Sequence, residues 1–144
     1  MLEQTHRDLL LDALFPLAQH MLAKLGEFHP FGAFVNASGT IERFSGYTGE
    51  EHPKPKELIT LLSEVAHRMV VDGRCQAVGI CVDVQTIPPG ETEKTNAVFA
   101  SLEDASGGLN VYLPYRKGAS NTIEYGKIFT HYARQTLFRQ DPTP

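Results

Sequence analysis

The alternation of apolar and polar positions is sharpest at residues 76–87, Gln-Ala-Val-Gly-Ile-Cys-Val-Asp-Val-Gln-Thr-Ile. Successive side chains of a strand point to opposite faces, so Val78, Ile80, Val82 and Val84 share one side and Ala77, Gly79 and Cys81 the other. Branched aliphatics on one side and small residues on the other suit the middle of a sheet, with a helix close against the small face. The remaining elements can be read as packing around this strand.

Upstream, Leu10, Leu14, Leu17, Met21 and Leu25 recur at three- and four-residue spacing, which predicts a helix over residues 6–25. Thr5 and Asp8 mark its start and Gly26 its stop. Pro16 lies inside it and predicts a kink or break near residues 11–15. Short β-type runs at 31–35 and 40–44 are joined by Asn36-Ala37-Ser38-Gly39, which reads as a hairpin turn. A loop rich in turn residues, 45–53, leads to a second helix over 55–71, with Pro55 at its first position and Leu58, Leu62, Val65 and Met69 on its apolar face. Asp72-Gly73 turns the chain into the central strand, and Pro88-Pro89-Gly90 ends it. Alternation resumes over 94–102 and again at Leu109, Val111, Leu113 and Tyr115, predicting an antiparallel three-stranded meander. Residues 122–126 read as a further short strand. Ile128, Phe129, Tyr132, Ala133 and Leu137 fall on one helical face, predicting a final helix over 127–138, and the tail 139–144 is expected to be loose.

This order belongs to the α+β class: one antiparallel sheet of five or six strands with helices packed on one face, in a single domain spanning 1–144. The central strand is apolar on both sides, which favours self-association.

Composition narrows the function classes. The chain has 144 residues, 21% of them charged and 42% hydrophobic, and a net charge of −4. A chain of this length can bury about two-thirds of its unfolded surface without disulfide or metal. The acidic balance and the absence of a basic stripe argue against a nucleic-acid partner. No signal peptide and no apolar run of membrane-spanning length is visible, so the expected location is the cytoplasm, with no membrane partner. Cys75 and Cys81 would lie about 20 Å apart along one extended strand, too far to pair, and read as buried thiols.

The element order is similar to that of roadblock and profilin-like α+β domains, which often serve as dimeric scaffolds. Pro30-Phe31-Gly32, Gly49-Glu50-Glu51-His52-Pro53, Pro88-Pro89-Gly90, Glu93-Lys94-Thr95-Asn96-Ala97 and Leu113-Pro114-Tyr115 together resemble a family of small uncharacterised bacterial proteins. That resemblance spans residues 28–129 and implies a bacterial source without implying a chemistry.

Candidate chemistry is sparse. Glu50, Glu51 and His52 precede the second helix, near His29, and carboxylates with imidazole can bind zinc or relay protons. Adjacent residues cannot all face one ion, however, and acids before a helix are favoured by its dipole alone, so no metal or cofactor is expected. Asp83 interrupts an apolar strand and would need a partner such as Lys94 or Arg116, or solvent at the strand end. Cys81 has no base placed near it by sequence. Gly46-Tyr47-Thr48-Gly49 lacks the Lys-Ser/Thr continuation of a phosphate loop.

Three functional readings follow. The leading one is a noncatalytic interaction or regulatory module, such as an immunity-type protein, acting as a homodimer or on another protein, with Tyr112, Tyr115 and Arg116 at its interface. The alternative is a small-ligand-binding domain with a pocket between the first helix and the sheet, lined by Phe28, Phe31, Tyr47 and His52. The third is an enzyme in which Glu50, His52 and Asp83 converge.

Overall fold

The computed structural model describes residues 1–46 and 54–138. Along the chain lie α1 (Gln4–Leu25), β1 (Phe31–Asn36), β2 (Ile41–Phe44), α2 (Pro55–Val71), β3 (Cys75–Thr86), β4 (Thr95–Asp104), β5 (Gly107–Lys117), β6 (Ile123–Tyr125) and β7 (Phe129–Ala133). The expected 45–53 loop falls mostly outside the described residues, and the 139–144 tail does so entirely. The α+β class holds. All strand pairs are antiparallel, in the order β2-β1-β3-β4-β5-β6, with β7 also on β5. Because β6 and β7 share β5, the sheet is six strands wide.

The central strand is β3, as its pattern predicts. Its two parities separate two layers. Ala77 and Cys81 join Leu10, Leu14, Ala18 and Leu22 of α1 in the main core, whereas Ile80 and Val82 pack with Leu62 of α2. The helices therefore lie on opposite faces rather than together on one. The reason is visible in β3 itself, where both parities are apolar and each needs a cover. Small residues let α1 approach closely: a Cβ at Gly79 would lie 2.8 Å from Leu14 Cδ1 and 2.9 Å from Leu102 Cδ2.

α1 begins at Gln4 and runs unbroken through Pro16, and Arg43 of β2 donates its Nε–H to the Ala13 carbonyl, 3.2 Å away and one turn before the proline. Thr5 does not cap it. Glu3 N–H instead donates to Asp104 Oδ2 at 3.0 Å, so the capping acceptor comes from the far end of β4. Gly26 ends the helix in the left-handed conformation, φ 77°, its N–H bonding the Leu22 carbonyl. In the β1–β2 turn the Asn36 carboxamide oxygen accepts from the N–H groups of Ser38 and Thr40 and from the Ser38 hydroxyl, which fixes the hairpin read from the sequence.

The C-terminal element differs from expectation. Residues predicted as a helix over 127–138 form β7, with Phe129 opposite Tyr112 and Ala133 opposite Gly108. The free N–H and C=O groups along β5 outweigh a weak helical pattern, and Phe129-Thr130-His131-Tyr132 suits a strand equally well. β6 and β7 form one interrupted strand. From Tyr115 to Tyr112 is three steps on β5, while the partners Tyr125 to Phe129 are four apart, so one extra residue bulges out at 126–128. Pro114, which offers no N–H to the ladder, lies opposite that bulge and accepts from Gly126 N–H at 2.8 Å.

No helix among the described residues is long and apolar enough to cross a membrane.

Candidate functional site

α2 sits over β1 and β3. On β4, β5 and β7 the same face carries no helix among the described residues. What it carries is a row of rings, one from each strand. Phe99 pairs with Tyr112 and Tyr112 with Phe129. Their centroids are 4.9 Å and 4.7 Å apart, and Tyr112 and Phe129 stack within 7° of parallel. His131 meets both Tyr112 and Phe129 edge-on at 5.8 and 5.7 Å. Such pairs contribute about 0.5–1.5 kcal/mol each beyond their buried area. All three rings of the row remain partly exposed.

Beside the row, at the bulge, runs a groove of about 690 Å³. Pro88, Pro89, Pro114, Ile128 and Phe129 supply apolar walls, and Arg116, Lys127, Glu91 and Glu124 bring charges of both signs. None of these four forms an ion pair among the described residues.

Two adjacent acids close the opposite end of β4. Glu103 and Asp104 are 4% and 1% exposed. Alternation sends them to opposite faces. Glu103, on the ring-bearing face, accepts the N–H groups of Leu137 and Phe138 at 2.8 Å each and the Thr136 hydroxyl at 3.3 Å. Gln135 donates to the Asp104 carbonyl at 2.7 Å. Residues 134–138 are thereby strapped over this end of the sheet. On the other face, Asp104 accepts from Glu3, Ser106 and Gly107 N–H and from His6 Nδ1, 2.8 Å away. Burial pushes its carboxyl up, but His6 and the three N–H groups outweigh that and hold the pKa below the usual carboxylate range.

Asp83 finds a partner other than Lys94 or Arg116: Tyr115 donates its hydroxyl to Oδ1 at 2.8 Å. The diagonal across β4 brings them together. Burial raises the Asp83 pKa despite the opposing Tyr115 hydrogen bond and nearby Lys117, with Glu27 adding to the rise. Burial and the Asp83 bond also raise that of Tyr115. A cavity of about 290 Å³ next to Asp83 is lined by Glu27, Phe28, His29, Pro30, Pro55, Leu58 and Val82. Cys81 is buried in the core, where desolvation and the Asp83 charge push its thiol up and away from the nucleophilic thiolate.

The structure divides the residues singled out by sequence. Glu50, His52 and Tyr47 lie outside the described residues. Phe28 and Phe31 meet edge-on at 6.0 Å within the core. Between α1 and the sheet, where a ligand pocket was expected, lies the main core, with a cleft of about 410 Å³ at its edge lined by Leu9, Asp12 and Ala13 of α1 and Ile41, Glu42 and Arg43 of β2; Phe28 also lines the cavity beside Asp83. Of the expected interface residues, Tyr112 and Arg116 share the helix-free face. Tyr115, 3% exposed, points to the other face and belongs to the core. Sequence reasoning missed Phe99, Phe129, His131 and Glu103. Their signal is cross-strand register, which one sequence does not display. Among the described residues no group of three or more His, Cys, Asp or Glu could hold a metal ion.

Comparison with protein-family models, with curated proteins and with solved structures finds no match.

Proposed function

We propose that this chain is a noncatalytic protein-interaction module that associates with a second copy of itself through the helix-free half of its sheet. The row Phe99, Tyr112, Phe129 carries this reading: three partly exposed rings in register are the kind of aromatic surface enriched at protein interfaces. The charges round the adjoining groove favour a second copy over other partners. Arg116 and Lys127 share the rim with Glu91 and Glu124, two charges of each sign, so a two-fold axis can set the positive groups of one copy against the negative groups of the other. Two free, buried cysteines suit a reducing compartment.

Sedimentation velocity over a concentration series tests the reading. A concentration-dependent dimer is expected, and Tyr112→Asp should weaken it at least tenfold by placing a charge among the rings. A wild-type chain that stays monomeric up to about 100 μM, a weak-binding limit, would sink it.

A second reading, small-ligand binding, draws on the groove, whose volume lies within the range of ligand sites. Native mass spectrometry of protein from its own host would show a mass excess lost on denaturation. An unliganded mass in both conditions counts against it.

A further inference from the structure

We infer that the dimer forms by exchange of the C-terminal arm, residues 123–138, so that β6, β7 and the strap of each copy complete the sheet of the other. The inference rests on the dimeric reading above and specifies how the second copy is held.

The arm is a separable unit. Both of its strands pair with β5 alone, and its strap is bonded to Glu103 and the Asp104 carbonyl at the end of β4. Every one of those contacts can be remade with another copy, including the Phe129 ring on Tyr112. Nothing is lost by exchange except the loop that folds the arm back on its own β5.

That loop, 118–122, is where the chain is strained. It is closed by Gly118 N–H to the Thr122 carbonyl at 2.8 Å and by the Thr122 hydroxyl to the Ala119 carbonyl at 2.8 Å. To make the turn, Ser120 adopts φ 57°, ψ 37°, and it alone among the described non-glycine residues has a positive φ. The left-handed region brings the Cβ of an L-residue against its own carbonyl, so a serine there is held at a cost that glycine would not bear. Opening the loop into an extended link releases this strain in both copies while the arm contacts are regained. Short strained hinges favour exchange for this reason, and reciprocal exchange closes with two-fold symmetry.

Asn110 and His131 face each other across β5 and β7. The variant N110C/H131C, oxidised at a concentration where it sediments as a dimer and run on a non-reducing gel beside the two single variants, reports which chain supplies the arm. A covalent dimer absent from the single variants is the expected result. Ser120→Gly, which removes the strain from the closed loop, should weaken association about 10-fold or more, since a left-handed cost is removed twice per dimer. A sedimenting dimer whose disulfide lies within each chain overturns the exchange and leaves the dimeric reading standing. A monomer at every concentration overturns both. If the pair does not oxidise, Ser120→Gly decides, and unchanged or tighter association overturns the exchange.

Discussion

Replacing Asp104 should destabilise this protein more than any other single change to a polar side chain. The residue is 1% exposed and serves four donors at once, from Glu3, His6, Ser106 and Gly107. A hydrogen bond contributes roughly 1 kcal/mol net, and more where the acceptor is charged, so Asp104→Ala should cost about 4 kcal/mol. That is a large part of the 5–15 kcal/mol typical of a whole domain, by order of magnitude. Asp104→Asn keeps the shape and one acceptor oxygen and should cost about half as much. The pH dependence has a definite sign. With the folded pKa below the unfolded one, the carboxylate stabilises the fold above the unfolded value of about 3.9 and loses that contribution as pH falls through the folded pKa. Urea titrations at pH 7, 5 and 3 would therefore show the gap between wild type and Asp104→Asn narrowing only in the most acid series. A gap as wide at pH 3 as at pH 7, or a loss below 1 kcal/mol for Asp104→Ala, would refute the reasoning.

Asp83 should behave in the opposite sense. Its pKa is raised, so its contribution to stability is present below the unfolded pKa and lost as pH rises through the folded one. Asp83→Asn keeps an acceptor for Tyr115 without the desolvated charge, and calorimetry at pH 7 should find the melting temperature raised by about 1–3 °C, with no gain at pH 3. Gly79→Ala forces a methyl group to within 2.8 Å of Leu14 and 2.9 Å of Leu102, an overpacking that should cost about 1–3 kcal/mol in chemical denaturation. An unchanged midpoint would mean that α1 yields freely. Glu103→Ala leaves the Leu137 and Phe138 N–H groups without their acceptor, so those two amides should exchange with solvent at least tenfold faster while the β3 amides do not; equal protection in both proteins would show that the strap is held by other means.

What the sequence revealed and concealed follows from the range of the interactions involved. The central strand, the second helix and the Asn36–Gly39 turn are set by residues within a few positions of one another, and their patterns are legible. The two-sided placement of the helices was implicit in β3, whose Val78, Ile80, Val82 and Val84 oppose small but apolar residues and leave no polar face to remain bare. The end of the chain was misread because Ile128, Phe129, Tyr132, Ala133 and Leu137 fit a helical face as well as parts of them fit a strand. The choice was made by the unpaired edge of β5, more than ten positions away in sequence. Asp83 was recognised as anomalous, yet its mate, Tyr115, lies 32 residues on and was assigned to an interface. The aromatic row is the extreme case. Phe99, Tyr112 and Phe129 carry no common motif and become one surface only when three strands take their register.

The placement of two consecutive buried acids at the end of β4 bears directly on how a second copy would be held. Asp104 fastens the first residues of the chain, with the Met1 ammonium also donating to the Ser106 carbonyl at 2.6 Å, and this side of the sheet is packed against α1. Glu103 grips residues 134–138 on the face without a helix. In an arm-exchanged dimer the Asp104 side chain keeps its own N-terminus while Glu103 and the Asp104 carbonyl take the strap of the other copy, so this dipeptide separates what stays from what is shared. Because the exchanged arm makes the same bonds in the closed monomer and in the dimer, Glu103→Ala should loosen the strap in both and Asp104→Asn should lower the stability of each subunit, while each leaves the dissociation constant, measured where the variants are folded, within about twofold of wild type, a difference under 0.5 kcal/mol. If Glu103→Ala weakened association tenfold or more, the strap would be a contact made only between copies, and the exchange of an arm already held in the monomer would be wrong.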